Sequence, residues 1–129
     1  MNFLKLPLLA VGLASALLVG GACGESSEPL DATGVEPAVH VELGDLPEGA
    51  ALVDQNNLKF SPNKLTVRAG DIVYFRNDET ATHTVTINGR NVTGDMRRDD
   101  VRAWSVTLPG VYKLTCNYHP QMKATITVE

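Results

Sequence analysis

Residues 110–122 read GVYKLTCNYHPQM, a stretch in which a strand pattern leads straight into a cluster of metal-binding side chains. Tyr112, Leu114 and Cys116 are spaced two residues apart, and side chains at that spacing point to the same face of a β-strand. The pattern therefore predicts that Cys116 ends a strand and points into the core. His119 and Met122 follow in the next loop and complete a C-x2-H-x2-M motif.

A second histidine supplies the donor that this loop lacks. His83 lies in the alternating segment 82–87, where it shares a predicted core-facing side with Val85 and Ile87. Two imidazoles, one thiolate and one thioether form the donor set of a type 1 copper site, in which His2Cys binds the ion and methionine is a weak axial ligand. We therefore predict one copper ion. The candidate ligands are His83, Cys116, His119 and Met122.

The remainder of the chain from residue 58 onward resembles a series of short strands separated by turns. These segments are rich in Val, Ile and Thr, and Pro109-Gly110 is a typical turn signal. Regular short strands of this kind predict an all-β sandwich or barrel with few helices. Residues 44–57 contain several turn-forming residues and are predicted to be mostly turns. Two further segments are each predicted to present one face to the core, through Trp104, Val106 and Leu108 and through Ala124, Ile126 and Val128.

The N-terminal region has the features of an export signal. Lys5 precedes a long uncharged apolar run, and Gly20-Gly21-Ala22 follows, so residues 1–22 are predicted to be a signal peptide. Cys23 lies where bacterial lipoproteins are cleaved and acylated, although Gly20 stands where that pattern prefers leucine. Gly20-x-Ala22 also suits ordinary signal cleavage, which would leave Cys23 unmodified. Residues 23–38 are predicted to be a flexible acidic linker, and residues 39–129 the folded domain. The resulting localisation is periplasmic or outer cell surface, with a lipid anchor that tethers the domain to a membrane.

Charge is distributed unevenly along a chain that has 15 acidic and 11 basic residues. Eight acidic residues and no basic ones lie in residues 24–58, whereas residues 59–129 have ten basic and seven acidic residues. This mixed pattern in an exported chain argues against nucleic-acid binding. Four arginines near the loop 88–100 form either a solvated surface or a docking face for an acidic partner: Arg90, Arg97, Arg98 and Arg102. His40 and Met96 are interpreted as surface residues, with Met96 as an alternative axial ligand.

The sequence resembles the cupredoxins, and within them the amicyanin and plastocyanin-like members. The resemblance covers about residues 58–129 and rests on Phe60-Ser61-Pro62, on LTV-x-AGD at 65–71, on His83, and on Gly110-x-Tyr112 before the motif. It implies a Greek-key β-sandwich of about seven or eight strands, copper ligation by the four candidate residues, and one-electron transfer. The family commonly has asparagine after its first ligand histidine, where this chain has Thr84. Leu114 and Tyr118 also replace residues that are common in the family.

The sequence favours an electron carrier over two other classes of copper protein. A copper carrier, which needs an exposed and labile site, stays open as the alternative. An enzyme with a second copper centre would need more histidines, and His40 is the only one left. We therefore predict a non-enzymatic, monomeric protein that meets its redox partners transiently. Tyr118 and Pro120, which flank His119, are the candidate docking residues.

Overall fold

The computed structural model describes residues 34–129 as a sandwich of two five-stranded sheets. The predicted signal peptide, Cys23 and most of the predicted linker lie outside the described residues. The described chain has ten strands and one short 3-10 turn at Leu43–Asp45. The strands are β1 (Val39–Val41), β2 (Ala51–Asn56), β3 (Lys59–Ser61), β4 (Lys64–Val67), β5 (Ile72–Asn77), β6 (Thr86–Ile87), β7 (Arg90–Asn91), β8 (Val101–Ser105), β9 (Gly110–Thr115) and β10 (Lys123–Val128).

The two sheets have the orders β1-β8-β5-β2-β3 and β4-β10-β9-β6-β7. Most neighbouring strands are antiparallel, but β2 pairs with β5 and β4 pairs with β10 in parallel. The chain crosses from the first sheet to the second between β3 and β4, and Pro62, which cannot donate a ladder hydrogen bond, lies in this connection. The prediction of an all-β sandwich is confirmed. The strand count exceeds seven or eight because β3, β6 and β7 are very short segments.

The core lies between the inner faces of the sheets and follows the alternation of the sequence. Trp104 packs between Phe75 and Tyr112, with ring centroids 6.3 and 5.2 Å away. In β10 the predicted core face is buried as expected, since Ala124, Ile126 and Val128 all lie inside. These aromatic and branched side chains supply most of the apolar area that holds the sheets together.

Several predicted assignments are wrong. Residues 51–56 form β2, an interior strand between β5 and β3, because pairing with these two strands outweighs the turn-forming residues around it. Trp104 and Val106 are buried as predicted, but Leu108 is 48% exposed, because it lies in the turn that follows β8. Residues 34–38, assigned to the linker, lie against the sandwich. Val35 is 1% exposed, and its carbonyl accepts a hydrogen bond from Arg90 Nη1 at 2.9 Å.

No helix within residues 34–129 is both long enough and apolar enough to cross a membrane.

Candidate metal centre

Three of the predicted ligands meet at one end of the sandwich. Cys116 Sγ lies 3.6 Å from His83 Nδ1 and 3.6 Å from His119 Nδ1, and the two Nδ1 atoms are 3.1 Å apart. Cys116 and His83 are buried, whereas His119 is half-buried at the surface. A point equidistant from these three atoms lies roughly 2.0 Å from each, close to the ~2.0–2.3 Å bonds that nitrogen and sulfur make to zinc. The triangle therefore has the size that a metal ion of this class requires.

Strand ends bring these ligands together. Cys116 follows β9 directly, and the loop that carries His119 and Met122 leads into β10. Within that loop the backbone N–H of Met122 donates to the carbonyl of His119 at 2.9 Å, which closes a turn. Met122 is 1% exposed, so the fourth candidate ligand is also buried in the same loop.

His83 lies on an isolated bridge before β6. Its backbone exchanges two hydrogen bonds with Met96, at 3.1 and 2.7 Å. The prediction that Met96 is a surface residue is therefore wrong: the side chain is fully buried, because this bridge draws the polar loop against the core. The inward orientation of His83 is confirmed. His40 is exposed, as predicted, and contacts Glu42 and Arg102.

A buried asparagine organises the loop that leads to His83. Asn77 ends β5, and its side-chain amide donates to the carbonyls of Ala81 and Met96 at 2.7 and 2.8 Å. Its side-chain oxygen accepts the backbone N–H of Glu79 at 2.9 Å. Asn77 therefore connects the loop 77–83 to the bridge that carries His83, a role that the sequence analysis missed.

Glu79 contacts the far side of the His83 ring. Glu79 Oε1 lies 2.5 Å from His83 Nε2 and also accepts the backbone N–H of Leu58 at 3.0 Å. Burial tends to raise the pKa of Glu79, but the hydrogen bond from Leu58 and the hydrogen bond and charge of His83 outweigh it, so the net pKa is lowered. An ionised carboxylate on Nε2 keeps the proton there and leaves Nδ1 free to bind a metal. The sequence analysis missed this contact. The feature that could have predicted it is the position of Glu79, four residues before the candidate ligand His83.

Thr84 connects the two ligand segments. Its backbone N–H points to Cys116 Sγ at 3.4 Å, and its hydroxyl accepts the backbone N–H of Asn117 at 2.9 Å. Asn117 is also bound through its side chain by Thr86, whose hydroxyl donates at 2.7 Å. Thr84 therefore connects the segments of His83 and Cys116 at the position where the family commonly has asparagine, and its hydroxyl accepts the hydrogen bond from Asn117.

The outer rim of the centre is formed by the exposed part of the ligand loop. Tyr118 is 54% exposed, and its hydroxyl donates to Asp95 at 2.8 Å. This bond to a carboxylate raises the pKa of Tyr118 above its usual value, with a smaller contribution from partial burial. Pro120 is exposed beside half-buried His119. Of the four arginines near the loop 88–100, Arg90 donates to the carbonyl of Val35 and Arg102 contacts His40, whereas Arg97 and Arg98 are exposed. Their role as a docking face stays a prediction.

Comparison with known proteins gives a consistent result. A family model described as "Cupredoxin-like domain" matches residues 39–128. Amicyanin of Paracoccus versutus is 28% identical over 124 residues, covering 90% of this chain and 91% of its own length. Amicyanin-alpha of Methylorubrum extorquens is 30% identical over 92 residues, covering 66% of this chain and 76% of its own.

Solved structures agree with the sequence relatives. The crystal structure of Paracoccus versutus amicyanin is 28% identical, with a TM-score of 0.64, and covers 70% of this chain and 92% of its own. A variant amicyanin solved in its Cu(I) form is 25% identical, with a TM-score of 0.65, and covers 74% of this chain and 96% of its own. The matched family model, the two-sheet sandwich and the converging His-Cys-His triangle agree, and the chain belongs to the cupredoxin-like family.

Proposed function

We propose that this protein is a type 1 copper protein that carries single electrons between larger redox proteins. The observation that carries the proposal is the convergence of Cys116 Sγ with the Nδ1 atoms of His83 and His119 within 3.1–3.6 Å. Imidazole and thiolate together suit copper, and the amicyanin relatives include one solved in its Cu(I) form. A bound copper ion supplies the one-electron change between Cu(II) and Cu(I).

The surrounding residues suit this task because they hold the donors without help from an ion. His83 is fixed by the Met96 bridge and by Glu79, and Cys116 is fixed by its strand and by Thr84. A ligand set that keeps its positions in both oxidation states needs little rearrangement when an electron is exchanged. The burial of Cys116 and His83 also excludes water from the donors.

The proposal is tested by titrating the metal-free protein with Cu(II) and recording the visible spectrum. We expect one equivalent to give an intense blue band that disappears on reduction. A colourless protein that binds only Cu(I) would instead support the copper-carrier alternative, and a preference for Zn(II) would indicate a structural metal site.

We assign Met122, and not Met96, as the axial ligand, because it belongs to the loop that supplies Cys116 and His119. Both methionines are buried, so they form a matched pair for a test. Replacing a weak thioether donor with a hydrocarbon removes electron density that stabilises Cu(II), so Met122→Leu is expected to raise the reduction potential. Met96→Leu conserves volume in the core and is expected to leave the potential and the spectrum nearly unchanged. The reverse result in voltammetry would assign the axial role to Met96.

Electrons enter and leave through the rim around His119, where Tyr118 and Pro120 are exposed. Pro120→Glu is expected to slow electron self-exchange between the oxidised and reduced protein roughly fivefold at low salt. The reason is that two rims carrying like charges repel by about 1 kcal/mol at ~4 Å in water. The exchange rate is measured by NMR line broadening, and the visible spectrum should not change.

The matched control for this rim is Thr107→Glu. Thr107 is exposed in the turn between β8 and β9, which lies at the opposite end of β9 from Cys116. If Thr107→Glu slows the exchange as much as Pro120→Glu does, the rate depends on the net charge of the protein and not on the charge at the rim around His119.

The proposal also includes export of the protein and its attachment to a membrane. The apolar N-terminal run and Cys23 support a periplasmic or cell-surface protein that is tethered through an acylated cysteine and acts as a monomer. Mass spectrometry of the N-terminal peptide from membranes is expected to show a lipid-modified Cys23. An unmodified N-terminus beyond residue 22 would contradict the anchor.

A further inference from the structure

A buried amide of the opposite sheet lies behind the metal centre. Gln55 belongs to β2, where Val53 and Gln55 point inward and Asp54 and Asn56 are half-buried. Its side chain is fully buried on the inward face of the strand, where an apolar residue is expected. Gln55 therefore needs an explanation other than packing.

Within the part of the chain that the structure describes, the side-chain NH2 group of Gln55 donates to one partner, which lies in the segment that carries His83. Gln55 Nε2 donates to the backbone carbonyl of Thr84 at 3.1 Å. A carbonyl accepts only from the NH2 end of an amide, so this contact fixes which end is which. Gln55 Oε1 then has no hydrogen-bond partner among residues 34–129. A buried unpaired oxygen is unfavourable, so stability alone does not account for a glutamine here.

Thr84, whose carbonyl accepts the hydrogen bond from Gln55, is also the residue whose backbone N–H points to Cys116 Sγ. The Thr84 N–H lies 3.4 Å from Cys116 Sγ, and the Thr84 hydroxyl accepts from Asn117, the residue after Cys116. Thr84 also directly follows His83. Its carbonyl is tied to β2 of the first sheet, while its N–H and hydroxyl face the cysteine segment that follows β9 of the second.

We propose that Gln55 is a positioning residue that holds the Thr84 N–H against the Cys116 thiolate and thereby raises the reduction potential of the bound copper. This inference rests on the proposed copper function. The positive end of an N–H dipole stabilises negative charge on sulfur. The reduced site carries one more negative charge than the oxidised site, so this dipole favours the reduced form. Loosening Thr84 weakens that preference and lowers the potential.

The test compares Gln55→Met with Val53→Ala in the full-length protein. Methionine has the unbranched shape of glutamine without the donor, so Gln55→Met is expected to remain blue and to shift to a lower reduction potential. The free energy of unfolding of its metal-free form should stay close to that of the wild type, because the freed Thr84 carbonyl replaces Oε1 as the unpaired buried oxygen. Val53→Ala removes buried volume from the same face of β2, so it should lower stability and leave the potential unchanged.

Three results would overturn the inference. The first is a Gln55→Met protein with the wild-type potential, and the second is an equal shift in Val53→Ala, which would indicate a general packing effect. Gln55→Leu provides the same comparison if the methionine variant does not fold, and a wild-type potential in that variant would count equally against the inference. The third is a wild-type protein without a blue band, which refutes the proposed electron-carrier function itself and is recognised before any variant is measured.

Discussion

Cys116→Ser is expected to abolish the intense visible band that Cu(II) produces in the wild-type protein. The band requires a thiolate bound to Cu(II), and a serine hydroxyl is a hard donor that stays protonated near neutral pH. Cys116 Sγ also lies 3.6 Å from the Nδ1 atom of each histidine, so its loss removes one of the three corners of the donor triangle. We expect the variant to bind copper more weakly and to show only a faint absorption.

Cys23→Ser provides the matched control, because the chain contains only two cysteines and Cys23 is the other one. That variant should keep the full band. The fold should survive in both, since serine is smaller than cysteine and similar in shape, and a far-ultraviolet circular dichroism spectrum checks this. A blue Cys116→Ser protein would mean that the coloured site involves other residues, and it would refute the proposed centre.

The inward positions of the candidate ligands His83 and Cys116 could be predicted because their local patterns are strong. Cys116 follows Tyr112 and Leu114 at period two, and His83 precedes Val85 and Ile87 in the same way. A strand that buries one face specifies the direction of every side chain along it. The loop spacing then brings His119 to the end of the strand that carries Cys116.

The contacts around the ligands depend on pairing between distant segments, which the sequence pattern does not reveal. The strand β2 contains Asp54, Gln55 and Asn56 and resembles a polar turn, yet it pairs with β5 on one side and with β3 on the other. Met96 lies in a loop of charged residues and is buried only because its backbone pairs with His83. Tertiary context outweighs local propensity at both places.

Glu79→Gln is expected to raise the reduction potential of the bound copper by up to about 100 mV. Glutamine keeps a side-chain oxygen that can accept the proton on His83 Nε2, so the substitution removes the charge and retains the contact. At an effective dielectric constant of about 20 and a separation of roughly 7 Å, one unit charge contributes about 2 kcal/mol, or roughly 100 mV for one electron. A nearby anion stabilises Cu(II) over Cu(I), so its removal favours the reduced form.

Asp78→Asn is the matched control, because it removes the same charge one position earlier. Asp78 contacts the side chain of Asn56 at 3.3 Å and makes no contact with His83. Its substitution should shift the potential much less than Glu79→Gln does. Equal shifts in the two variants would show that the potential follows the total charge of the loop. An unchanged potential in Glu79→Gln would show that the carboxylate only orients the imidazole, because the glutamine oxygen preserves that orientation while the charge is gone.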